Sequence, residues 1–164
     1  MKITILYFSA SGNTEKAAGY IEEGIKSAGE VEVKLMNIAD YANIDDAFIN
    51  ESSAVIFGTP VYVANMCWQM KRFFDEYRTA KFAGKIAAAF STANFLHGGA
   101  DIAIQAMLSH ALTKGMLAYA SGSGLGVPFI HLGPVALREQ IDEKKDLFVL
   151  FGKRIADKTL ELFS

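Results

Sequence analysis

Six consecutive residues, Ser9-Ala10-Ser11-Gly12-Asn13-Thr14, place three hydroxyls, one amide and one glycine behind an apolar run and ahead of an amphipathic one. A strand that runs into a helix turns at such a point. The backbone N–H groups of a helix's first turn have no intrahelical partner and carry partial positive charge. Gly12 allows a tight or left-handed turn. A phosphate monoester fits there with no Lys or Arg in the loop, and the hydroxyls of Ser9, Ser11 and Thr14 add hydrogen bonds. Helix capping alone asks for one such residue; here four of the six are of capping type. The loop is not G-x-G-x-x-G, and no G-x-x-x-x-G-K-[ST] occurs in the chain. That favours a mononucleotide-type phosphate over NAD or ATP as the tightly held ligand.

The elements around this loop follow from the alternation of apolar runs and amphipathic stretches. Strands are expected at Lys2–Phe8, Val31–Met36, Ala54–Gly58, Ile86–Ser91 and Met116–Ala120. Helices are expected at Glu15–Ala28, Met66–Arg78, Ala100–Lys114 and Arg138–Phe163, with a short helical turn over Asp45–Asn50. Near-continuous apolar strands separated by helices indicate a parallel sheet covered on both faces. Five such units in 164 residues predict one domain over 1–164, an α/β/α sandwich of the doubly wound kind. Its ligand site lies beyond the C-terminal ends of the strands, where strand order reverses. A glycine-rich stretch, Ser121–Pro134, reads as a mobile surface loop.

Composition excludes several classes. Apolar residues make up 51% and charged ones 21%, with a net charge of −2. The balance gives no electrostatic case for nucleic acid or an anionic membrane. No apolar run approaches the ~20 residues of a membrane span. One cysteine, Cys67, suits a reducing cytosol and forms no intrachain disulfide. A cytoplasmic location is the expectation.

The pattern [ST]-x-[ST]-G-x-T after the first strand resembles the FMN-phosphate loop of the flavodoxin-like superfamily. A second stretch is similar to the family of tryptophan-repressor-binding-protein-like NAD(P)H:quinone oxidoreductases and their flavodoxin relatives. It runs Gly58-Thr59-Pro60-Val61-Tyr62-Val63-Ala64-Asn65-Met66, then Gln69-Met70-Lys71, Phe73 and Asp75. The resemblance implies a flavodoxin-like three-layer sandwich with a five-stranded parallel sheet of order 2-1-3-4-5 and FMN at the strand ends. It implies that Ser9, Ser11, Gly12, Asn13 and Thr14 hold the phosphate. Pro60, Val61, Tyr62 and Val63 flank the isoalloxazine, with Asn65 nearby. Ser91, Thr92, Ala93 and Asn94 form a third flavin loop that leads to His97. Asn65 has a second reading as the N-cap of the Met66 helix. The third loop departs from the quinone reductases' glycine-rich run, reading Asn94-Phe95-Leu96-His97-Gly98-Gly99. It also lacks the Asp and Tyr that electron-carrier flavodoxins use there.

Residues 57–70, 86–100 and 115–137 carry no Asp, Glu, Lys or Arg. These segments include the loops that frame the flavin. Electron-carrier flavodoxins are strongly acidic and steer basic partners; an uncharged rim fits chemistry on a small, uncharged molecule. The resulting expectation is an FMN-dependent oxidoreductase passing a hydride from NAD(P)H to a small acceptor such as a quinone. The alternative is a flavodoxin-type one-electron carrier for a protein redox partner. Cations for the nicotinamide cofactor's phosphates are nearest in sequence at Lys71, Arg72, Lys114 and Arg138, and the sequence places none of them by the flavin.

The three histidines share no metal spacing. His110 reads as structural, near a helix C-terminus where a cation suits the dipole. His97 and His131 are open between pocket and surface. Cys67 reads as a small packing residue. Trp68 projects from the polar face of its helix among Lys71, Arg72 and Asp75. It points to a subunit contact, in line with the dimers and tetramers common in the family, or else to a fold over the neighbouring loop.

Overall fold

A computed structural model describes residues 1–164. Its first strand, β1 (Lys2–Tyr7), lies inside the sheet between β2 (Glu32–Asn37) and β3 (Ala54–Tyr62). Beyond β3 comes β5 (Ile86–Ala93), all eight of whose residues are buried. This is the burial expected of a central parallel strand sandwiched between helical layers. The short β6 (Leu117–Ala118) pairs in parallel with the start of β5, at Ile86 and Ala87. A separate segment, β7 (Val135–Leu137), pairs in parallel with the end of β5, at Ser91 to Ala93. The fifth position of the sheet is therefore filled by two pieces of chain joined through residues 119–134. The expected order holds across the five main positions. The strand count is seven, because β7 is separate and a two-residue strand β4 (Asn65–Met66) folds back on β3.

Helices α1 (Asn13–Ser27) and α5 (Lys145–Phe163) cover one face. Their core contains Ile3, Ile5, Phe90, Phe148 and Phe151. The other face carries the short α2 (Asp46–Glu51), α3 (Trp68–Glu76) and α4 (Ala100–Thr113). There Phe57, Phe73, Phe74, Tyr77 and Met107 pack together, with Phe73 stacked on Tyr77 at 4.7 Å between centroids.

Two glycines set the distance between α1 and α5. A Cβ on Gly24 would meet the Val149 carbonyl oxygen at 1.9 Å, and one on Gly152 would meet the Ile21 carbonyl oxygen at 2.1 Å. Such close backbone approach is open only to glycine. It fixes the start of α5 beside α1. The last helix begins at Lys145 rather than Arg138; a 3₁₀ turn over Arg138–Gln140 precedes it. No helix is long and apolar enough to cross a membrane.

Candidate functional site

The loop after β1 enters α1 through Gly12, whose φ of 87° is in the left-handed region. The helix starts at Asn13, two residues before the expected Glu15, so Asn13 and Thr14 belong to its first turn. Ser9 Oγ accepts hydrogen bonds from the N–H of Gly12 at 3.2 Å and of Glu15 at 3.3 Å. Ser9 thus organises the turn from within. Asn13 Nδ2 donates to Ser11 Oγ at 3.3 Å. Thr14 is buried, and its hydroxyl shares a 2.8 Å hydrogen bond with that of Thr92.

The second loop is a hairpin. Val61 pairs with Met66 and Tyr62 with Asn65. The turn residues Val63 and Ala64 both have positive φ, 50° and 61°. Two successive positive φ values match the twist of the flanking strands, but a β-branched residue adopts them with strain. Thr59 Oγ1, fully buried, donates to the Pro60 carbonyl and accepts from the Cys67 N–H at 3.0 Å, so it fastens the return strand. Burial pushes the Cys67 thiol up, and this cysteine is the packing residue expected. Desolvation also raises the Tyr62 phenol, which stays protonated.

The third loop leaves β5 after Ala93. Thr92 carries the bond to Thr14. Ser91 is fully buried and donates to the Ala100 carbonyl at 3.3 Å. Gly99 has φ 92°, and a Cβ there would lie 2.5 Å from the Ala64 carbonyl oxygen. The third loop therefore rests directly on the hairpin turn.

The three loops close on a cleft of about 230 Å³ at the C-terminal ends of β1, β3 and β5. Ser11, Asn13 and Thr14 line one end, Pro60 to Tyr62 one wall, and Thr92 to Asn94 the other. A second hollow of about 400 Å³ continues from it, sharing Val61, Ala93 and Asn94 and adding Val63, Phe95 and His97. Phe95 and His97 lie with ring centroids 6.4 Å apart, and Phe95 is exposed.

Four of the expected site residues line neither hollow. Ser9 and Gly12 shape the first loop, and Ser91 is in the wall. Asn65 faces the far side of the hairpin, in a hollow with Met66, Trp68 and His110. Asn65 is not a helix cap either: its Oδ1 accepts from the Met66 N–H, and Cys67 occupies the cap position of α3. His131 is exposed and also outside both hollows. His110 Nδ1 donates to the Ala106 carbonyl at 2.7 Å and packs on Phe74, the structural role expected. Trp68 is 62% exposed. No group of His, Cys, Asp and Glu side chains is arranged to hold a metal ion.

Arg138 also lines the cleft, and the sequence did not place it there. The only legible signal was its position as the first charge after twenty-three uncharged residues.

A family model described as NADPH-dependent FMN reductase matches residues 1–125, about three-quarters of the chain. The chain belongs to this family. Within it the fold is flavodoxin-like. A flavodoxin of Clostridium saccharobutylicum is 46% identical over 163 residues, covering 99% of this chain and 100% of that protein. A flavodoxin of Aquifex aeolicus is 32% identical over 161 residues, covering 95% of this chain and 85% of the relative. The structure of a WrbA-like flavodoxin from Agrobacterium tumefaciens superposes with a TM-score of 0.80 at 24% identity, over 98% of both chains.

Proposed function

We propose that residues 1–164 form one flavodoxin-like domain that holds FMN across the two hollows and carries electrons for a protein partner. The observation that carries the cofactor reading is the convergence of the three loops on one cleft, with the Thr14–Thr92 hydrogen bond joining the first to the third.

The donors present suit a phosphorylated flavin. One end of the cleft offers the first-turn N–H groups of α1 with the side chains of Ser11, Asn13 and Thr14, a set that binds an anion. Ser9 and Gly12 shape that seat. The far end is mostly uncharged and partly apolar, with Pro60, Val61, Tyr62 and Val63 on one side and Ala93, Asn94 and His97 on the other. When bound, FMN supplies a centre that takes up and gives back one or two electrons. The protein's part is to seat the phosphate, sandwich the ring and limit water. Ser91 supports the third loop from behind, and Asn65 orders the hairpin return.

The full-length likeness to flavodoxins favours the carrier over the hydride-transferring enzyme to which the uncharged rim points. That enzyme remains the second reading. It is supported by the family's description and by a rim on which Val63, Phe95 and Leu96 stand exposed without a charged neighbour in their loops. On that reading NAD(P)H is the donor, a small quinone-like molecule the acceptor, and Trp68 part of a dimer or tetramer contact.

The two readings separate in one assay of the FMN-loaded protein. NADH or NADPH with a quinone panel is expected to give negligible steady-state turnover, while a flavodoxin-type reductase loads the protein with electrons. Rapid NAD(P)H oxidation by the protein alone would overturn the carrier reading.

A further inference from the structure

The first loop contains no cation, yet the cleft it opens on contains one. Arg138 is the only charged residue lining that cleft. Its place follows from the split fifth position of the sheet. Leu137 is the last paired residue of β7, in register with Ala93. The chain then steps off the sheet beside the third loop, and the 3₁₀ turn that begins at Arg138 leads into α5. Because α5 packs tightly on α1, this step-off point lies next to the first turn of α1, where Ser11, Asn13 and Thr14 line the same cleft.

Arg138 is also the one arginine with nothing to do inside the chain. Arg72 pairs with Glu76, and Arg78 donates to the Phe74 carbonyl. Arg154 donates to Ser121 and to the carbonyls of Leu125 and Pro128, holding the loop between β6 and β7. Arg138 enters none of the ion pairs. It is exposed, so its guanidinium is free to swing over the cleft mouth. A planar guanidinium matches two oxygens of a phosphate at once.

Resting on the FMN reading above, we infer that Arg138 is the phosphate-selecting residue of this cleft: it pairs with the terminal phosphate of FMN and makes the protein prefer FMN to riboflavin. The backbone N–H groups of α1 seat the phosphate, and Arg138 closes over it from the opposite side. The seat offers only the partial charges of backbone N–H groups, so Arg138 adds the one formal charge in the cleft and widens the difference between the two flavins.

The test is equilibrium titration of the apoprotein with FMN and, separately, with riboflavin, following quenching of flavin fluorescence. Wild type, Arg138→Gln and Arg138→Lys are compared at low and high KCl. Removing a charged hydrogen-bond donor is expected to weaken FMN by about tenfold. Riboflavin affinity stays unchanged. Arg138→Lys falls between, since an ammonium keeps the charge but loses the paired geometry. The wild-type preference for FMN falls as KCl rises, and the glutamine variant's does not. Equal loss of both flavins would overturn the inference by making Arg138 a structural residue, and unchanged FMN affinity in Arg138→Gln would overturn it as well. A wild type that binds riboflavin as tightly as FMN overturns this inference alone. A wild type that binds neither overturns the cofactor reading along with it.

Discussion

The hydroxyls of Thr14 and Thr92 meet at 2.8 Å although 78 positions separate them in sequence. Both residues are almost wholly buried. The bond joins the first turn of α1 to the end of β5, and so couples the loop proposed to hold phosphate with the loop proposed to hold the ring. Replacing either residue by Val strands the other hydroxyl in the core, which costs about 1–3 kcal/mol. The double variant Thr14→Val/Thr92→Val leaves no orphan, so its loss is expected to be smaller than the sum of the singles. Urea unfolding of the three variants checks this. Simple additivity would show that the two hydroxyls act independently.

The hairpin turn between β3 and β4 keeps Val63 and Ala64 at positive φ without glycine or asparagine. Such residues store on the order of 1 kcal/mol or more of backbone strain each. Val63→Asn/Ala64→Gly supplies the residues this turn prefers. The variant is expected to raise stability by about 1 kcal/mol, read from the urea midpoint at constant slope. An unchanged or lowered midpoint would mean that the present turn is relaxed. Gly99 leans on Ala64, and Gly99→Ala is expected to be destabilising through both its φ and its 2.5 Å contact.

Acid sensitivity is expected from exposed carboxylates whose folded-state pKa is depressed. Lys16, then Tyr20, hold Asp142 below its ordinary 3.8. Lys34 and then the Phe48 N–H do the same for Asp45 at the start of α2. A depressed carboxylate stabilises the fold fully above its unfolded value. That contribution fades as pH falls below 3.8 through the lower folded value. Asp142→Asn and Asp45→Asn should therefore each flatten the acid limb of a Tm–pH profile and leave it parallel to wild type above pH 5. The effect is small, because these pairs are exposed and screened by salt. An acid limb unchanged in the double variant would refute the assignment.

The uncharged second and third loops lead to an expectation for partner transfer. Charge-steered association slows steeply with ionic strength. Docking through Val63, Phe95 and Leu96 should instead vary little with KCl. Stopped-flow transfer at rising salt distinguishes the two, and Leu96→Ser, at an exposed residue outside both hollows, is expected to slow transfer without changing FMN affinity. A steep salt dependence would place the docking surface on a charged face elsewhere.

Much of the frame was legible because its strands are continuous apolar runs and its helices have clear periodicity. Gly12 and the hydroxyls around it marked the first loop for the same local reason. What escaped was non-local. The apolar run predicts a strand that ends at Gly58, yet Pro60 lies on the parallel ladder opposite Thr92, and the strand continues to Tyr62. The hairpin that follows turns on Val63-Ala64, which carries no turn signal. Val135–Leu137 is too short to declare itself a strand; it becomes one only because the end of β5 has an open edge. The final helix is expected to begin at Arg138, whereas the sheet holds Arg138 one step past β7 and the helix starts at Lys145. Asn65 looked like a helix cap from type and position, but the hairpin claims it.

The most direct test of the account is the structure of the protein reconstituted with FMN. The phosphate is expected against the first-turn N–H groups of α1 at Asn13 and Thr14, beside the Ser11 side chain, with the Arg138 guanidinium over it, and the ring between Tyr62 and the third loop. A phosphate seated anywhere else, or a protein that emerges from FMN with no flavin bound, would contradict it.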